Sequence, residues 1–122
     1  MKVKVLGIQP GTVTDGMTNE EYVERQIAFM EDLVEQEKPY LVAFPEMMTG
    51  IYFGMVREKK WFQYAEDFLT GPTTTKMLEE SRKLNIHIAY SLFEKTVENG
   101  KEVYYNTMGL ISPVRGVIGR YR

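Results

Sequence analysis

Tyr40-Leu41-Val42-Ala43-Phe44 is an unbroken apolar run closed by a proline on each side, Pro39 before it and Pro45 after it. The run is too short for a helix. Its side chains are apolar whichever way they point, as in a strand buried on both faces of a parallel sheet. Pro45 ends it, because proline cannot donate to the ladder. A parallel neighbour needs a crossover, and the preceding sequence supplies one. Thr18-Asn19-Glu20-Glu21 is a capping-box pattern, with a hydroxyl for the Glu21 amide and a carboxylate that reaches back. Val23, Ile27, Met30 and Val34 follow at helical spacing, with Glu24, Arg25, Glu31 and Glu35 on other faces. The spacing predicts a helix from Asn19 to Glu37, stopped by Pro39. Before it, Lys2 to Gln9 carries Val3, Val5 and Ile8 in strand-like alternation and ends at Pro10-Gly11. Strand, helix, strand is the unit of an α/β fold.

The remainder extends that unit. Thr12 to Met17 reads as a loop, and so does Met47 to Arg57, with Gly50 and Gly54. A short helix is predicted over Glu58 to Phe68. Gly71-Pro72-Thr73 starts another, with Met77, Leu78 and Leu84 on its apolar side. Ile86 to Phe93 reads as a strand. Asn99-Gly100 is a strong hairpin signal, and Val103 to Ile111 is the partner strand. Ser112 to Gly116 makes a further turn, and Val117 begins one more strand. The order is β-α-β-loop-α-β-β-β, in one domain without repeats or a linker.

Composition removes several classes of function. Fifteen Lys plus Arg stand against 17 Asp plus Glu, a net charge of -2. No clustered basic excess marks a nucleic-acid binder. There is no cysteine, so these residues form no disulfide, thiolate metal site or thiol nucleophile. A single histidine, His87, cannot make a multi-histidine metal site. No apolar segment is long enough to span a bilayer and no signal peptide is legible, so the cytoplasm is the expected location.

Glu46 is the sharpest candidate for chemistry. A carboxylate just beyond the C-terminal end of a buried strand lies where α/β folds build their sites. Partial burial beside Phe44, Pro45 and Tyr52 would suit it to general-base work. A solvated loop glutamate or a helix cap fits the same position. Tyr52 and Phe53 are candidate substrate-binding residues from the loop that follows, with plain loop packing as the alternative. Met47, Met48 and Met55 read as adaptable filler. His87 and Asn106 read as structural, and Arg120 and Arg122 as one solvated face of a strand.

Several segments, taken in order, resemble the nitrilase superfamily of carbon–nitrogen hydrolases. Val3 to Gln9 is similar to its first strand. Leu41-Val42-Ala43-Phe44-Pro45-Glu46 is similar to the strand that carries its catalytic glutamate. Ala65-Glu66 with Thr70-Gly71-Pro72-Thr73 is similar to the lead into its second helix. Tyr105-Asn106-Thr107, Ile111-Ser112-Pro113 and Gly119-Arg120-Tyr121-Arg122 resemble the hairpin that leads to its catalytic lysine.

The resemblance implies the N-terminal part of an α-β-β-α sandwich, a four-layer fold. Residues 1–122 would be an incomplete carbon–nitrogen hydrolase domain, roughly its first half. It implies a Glu-Lys-Cys triad in which a thiolate attacks an amide or nitrile carbon, the glutamate is general base and the lysine stabilises the oxyanion. Of these only Glu46 has a counterpart here. The lysine would follow Arg122 directly and the cysteine further on, so the chain alone is expected to be inactive. The implied substrate is a small amide, N-carbamoyl compound or nitrile. No metal or cofactor, no nucleic acid and no membrane is implied, and a homo-oligomer is expected. The rival reading is a non-catalytic truncated domain that works by association with another chain.

Overall fold

A computed structural model of the chain describes residues 1–13, 16–55 and 58–122. The loops expected over Thr12–Met17 and Met47–Arg57 therefore fall in part on residues outside the described ones. Strand β1 (Val5–Gly7) leads into helix α1 (Asn19–Glu37) and strand β2 (Leu41–Ala43). Helix α2 (Pro72–Leu84), β3 (His87–Glu98), β4 (Lys101–Ser112) and β5 (Gly116–Tyr121) complete the order. The strands form one five-stranded sheet in the order β1-β2-β3-β4-β5. The first two pairings are parallel and the last two antiparallel.

Local chemistry sets these boundaries. The Thr18 hydroxyl accepts the Glu21 amide at 3.1 Å, and the Glu21 carboxylate accepts the Thr18 amide at 2.8 Å. Helix α1 ends at Lys38, in the left-handed region at φ 48°, and Pro39 prevents its continuation. Asn99 and Gly100 both take positive φ, 51° and 75°, as a two-residue hairpin turn of matching twist requires. The short helix expected over Glu58 to Phe68 is a 3-10 turn, Lys59–Tyr64. β-Branched and aromatic composition carries the β3–β4 hairpin beyond the predicted ends, to Glu98 and Lys101. β1 is shorter than the expected Lys2–Gln9, because β2 offers only three residues to pair with it.

Both helices cover one face of the sheet. Val23, Ile27, Met30 and Val34 of α1 and Met77 of α2 join Val42, Ile88, Tyr90, Leu92 and Ile111 in a single core. The register puts Gly7, Ala43 and Ala89 together on the opposite face, with Val5 and Leu41 beside them. There Val5, Met108 and Tyr121 are exposed. β2 was expected to be buried on both faces. Val42 is fully buried, but Leu41 and Ala43 are only half-buried, because no described element packs on their side.

Tyr90 holds the core side of the hairpin. Its ring is fully buried, and its hydroxyl is 2.7 Å from Thr74 Oγ1, which donates to the Phe68 carbonyl at 2.5 Å. The ring lies flat against Gly109 on β4, where a Cβ would come within 2.5 Å of it. Neither the ring nor the strand has room to yield. Gly109→Ala is expected to cost about 1–3 kcal/mol by overpacking, read as a lower urea midpoint at unchanged slope.

Candidate active site

The last ladder bond of β2 runs from the Phe44 amide to the Ala89 carbonyl at 2.8 Å. Pro45 then turns the chain out of the sheet. It returns to the same strand at Glu66, whose amide donates to the Phe93 carbonyl and whose carbonyl accepts the Lys95 amide. The chain thus leaves the edge of β3 at Pro45 and rejoins it at Glu66, and Glu46 stands at the exit.

Three elements grip that exit. Ser91 on β3 donates through Oγ to the Pro45 carbonyl at 3.0 Å and accepts the Met48 amide at 3.4 Å. Gln26 on α1 donates to the Met48 carbonyl at 2.7 Å. Met48 is buried in the core and Met47 nearly so. Met47 pays for the tight turn with φ 53°, a left-handed conformation that costs a non-glycine residue about 1–2 kcal/mol. The Glu46 side chain points over the face that the helices do not cover. There Asn106 of β4 donates from Nδ2 to Glu46 Oε1.

Glu46 itself is exposed, not partly buried as expected. The cause is partial cover: on this side of the sheet the described residues pack around Phe93 and leave Glu46 open. It lines an open cleft of about 430 Å³ with Gln9, Thr12, Tyr22, Met48 and Tyr52. A second cleft of similar volume lies between the starts of α1 and α2, away from Glu46.

The two aromatic candidates separate. Tyr52 is exposed and lines the Glu46 cleft. Phe53 stacks on Trp61 at 5.7 Å and meets Phe93 edge-on at 4.9 Å. Phe62 and Tyr104 complete this aromatic group around Phe93. Phe53 packs within this group and also lines a small cleft with Met47 and Ile51. Of the methionines read as filler, Met47 and Met48 are buried, whereas Met55 is exposed. His87 stacks on Tyr40 at 4.5 Å, at the start of β3.

A second polar centre lies on the helix-covered face. Glu94 is 1% exposed. It accepts Thr107 Oγ1 at 2.6 Å and Arg122 through Nε at 3.1 Å and Nη2 at 2.7 Å. Arg120 approaches it at 3.5 Å. Arg122 also stacks over the Tyr105 ring, 4.1 Å from its centroid. The expectation that Arg120 and Arg122 form one solvated face holds for Arg120, whose side chain is 44% exposed, and is corrected for Arg122. The Arg122 side chain is 27% exposed, drawn in by a buried carboxylate twenty-eight residues earlier in the chain. Burial alone would raise the Glu94 carboxyl, but the Arg122 and Thr107 hydrogen bonds and the two guanidinium charges outweigh it and hold it low. Burial does raise Glu66, whose carboxylate accepts the Thr73 amide at 2.9 Å and serves helix α2 where Gly71 has no side chain to cap it.

The described residues contain no cluster of acids and histidines able to hold a metal ion. No described helix is long and apolar enough to cross a membrane.

A mixed α/β sheet with an acid projected from the end of a parallel strand defines the class of fold. The chain belongs to the carbon–nitrogen hydrolase family, whose model matches residues 6–122. It is similar to N-carbamoylputrescine amidase of Solanum tuberosum, 25% identical over 120 residues, covering 98% of this chain and 37% of that protein. It is also similar to a nitrilase of Pyrococcus abyssi, 33% identical over 82 residues, covering 67% of this chain and 29% of that protein. A carbon–nitrogen hydrolase from Helicobacter pylori G27 shares the fold with a TM-score of 0.84 at 20% identity, over 98% of this chain and 39% of that one. An N-terminal amidase shares it with a TM-score of 0.79 at 23% identity, over 98% of this chain and 27% of that one. The chain spans well under half the length of each of these relatives.

Glu94→Gln is expected to cost about 2 kcal/mol of stability at pH 7, since it removes a charge-assisted pairing and keeps the shape. A carboxyl held low contributes stability that is present above its ordinary 4.5 and lost as pH falls through its lower folded value. The gap between parent and variant in urea titrations should therefore stay level near neutrality and close in acid. A gap that widened in acid would contradict the pairing.

Proposed function

We propose that the chain forms the N-terminal part of a hydrolase acting on carbon–nitrogen bonds other than peptide bonds, with Glu46 as its general base. The observation that carries this reading is the placement of Glu46: at the exit of a parallel strand, anchored through its turn by Ser91 and Gln26, and facing an open cleft. A carboxylate so held can take the proton of an attacking thiol and later deliver it to the departing nitrogen. The thiol adds to the amide or nitrile carbon, and a neighbouring cation stabilises the oxygen anion of the amide adduct. Water then releases the acid. Neither a thiol nor a cation bonded to Glu46 occurs among the described residues. In the family resemblance the lysine and cysteine follow Arg122.

Small amides and N-carbamoyl compounds are favoured as substrates ahead of nitriles, a preference that the N-carbamoylputrescine amidase of Solanum tuberosum supports by its name. Ammonia release from N-carbamoyl amines, carboxamides and nitriles, measured on the longer polypeptide that carries this chain, tests the reading. Glu46→Gln there should lower kcat by several orders of magnitude. The 122-residue chain alone should release no ammonia, and release that Glu46→Gln abolishes would contradict the triad.

A second reading rests on the uncovered sheet face, where Val5, Met108 and Tyr121 are exposed. In that reading the domain is non-catalytic and works by association. Light scattering after size exclusion separates the two: a defined complex of this chain, together with an inactive longer polypeptide, favours association.

A further inference from the structure

We infer that Asn106 is a positioning residue for Glu46, resting on the proposal that Glu46 is the general base. Three observations point the same way.

The first is the contact. Asn106 Nδ2 faces Glu46 Oε1, and the two residues are 60 positions apart in the sequence. An ionised carboxylate only accepts, so the amide must turn its NH2 toward it. One carboxylate oxygen is held, and no described group hydrogen-bonds the other.

The second is the strand. Asparagine is disfavoured in strands, yet Asn106 lies mid-strand among Val103, Tyr104, Tyr105, Thr107 and Met108. A residue that breaks the local rule without serving the core points to a task elsewhere. Its cross-strand partner is Phe93, 8% exposed, which the aromatic rings hold in place. The backbone that carries Asn106 is thus fixed on the side that faces Glu46.

The third is the division of work with Ser91. Ser91 lies two residues before Phe93 on β3 and fixes the backbone on both sides of Glu46. That fixes where the side chain starts and leaves its torsions free. The Asn106 amide supplies the missing constraint at the carboxylate. Two adjacent strands therefore define the base, one through its backbone and one through its tip.

Asn106→Asp tests this with almost no change of shape, replacing a donor by a second acceptor beside the carboxylate. In the longer polypeptide, with N-carbamoylputrescine or the panel member that is turned over, Asn106→Ala should lower kcat on the order of 10- to 100-fold with KM unchanged. Asn106→Asp should lower it further. A residue that merely supports the hairpin would tolerate Asp, so an Asp variant with parental kcat overturns the inference. Should Glu46→Gln abolish turnover while both Asn106 variants keep it, the inference fails and the general-base reading stands. Should Glu46→Gln leave turnover intact, the general-base reading itself fails. The contact is also readable without catalysis. In 15N-labelled protein the Asn106 side-chain amide pair should move on Glu46→Gln, and a pair that stays in place contradicts the inference.

Discussion

The hydrogen bond from the Phe44 amide to the Ala89 carbonyl is the last that β2 makes, and the rest of the site depends on where it falls. The position after Phe44 faces β1, as Ala43 does when its carbonyl accepts the Ile8 amide, and there Pro45 has no N–H to give. The chain must leave the sheet there, and the first side chain beyond is Glu46. β3 continues for nine residues past Ala89, so it has edge left to grip the departing turn and later to receive Glu66. Had β2 run on, that edge would be filled and Ser91 would have no loop to hold. One missing amide hydrogen thus converts a buried parallel strand into the support of an exposed carboxylate.

The alternation of β4 serves two carboxylates at once. Asn106 and Thr107 are neighbours, so their side chains leave opposite faces of the sheet. Thr107 donates to Glu94 on the helix-covered face, and Asn106 donates to Glu46 on the open one. A one-residue slip of the hairpin would break both contacts together. The Asn99-Gly100 turn fixes the register at one end of the hairpin, and the close fit of Gly109 against the Tyr90 ring fixes it within the core.

What the sequence discloses follows from the range of the interactions involved. The cap at Thr18, the Asn99-Gly100 turn and the spacing of Val23, Ile27, Met30 and Val34 are local, and the structure keeps them. Glu46 was legible because Pro45 marks the strand end beside it. The pairing of Arg122 with Glu94 joins the residue just after β5 to β3, and the two approach only once β4 lies between the strands. Alternating arginines on a strand look solvated until a buried acid is placed beneath one of them. Asn106 read as structural, because nothing local to it points to a partner 60 positions away. The exposure of Glu46 was misjudged for a related reason. Phe44, Pro45 and Tyr52 are its neighbours in sequence, whereas the rings that cover that face gather around Phe93 and leave Glu46 open.

The two carboxylates are held by different chemistry, and the difference bears on what each can do. Glu94 faces two guanidinium groups, which neutralise its charge and make its protonation costly. That suits a fixed joint between β3 and the end of β5. Glu46 is held by a neutral amide. An amide orients a carboxylate through one N–H without neutralising it, so the charge remains available to an incoming proton. An arginine at position 106 would orient the acid as firmly and take up that charge in an ion pair. For a joint, the stronger partner is the better one. For a base that must accept and return a proton, as proposed for Glu46, the weaker partner is, and the sheet places one of each on opposite faces of the same strand.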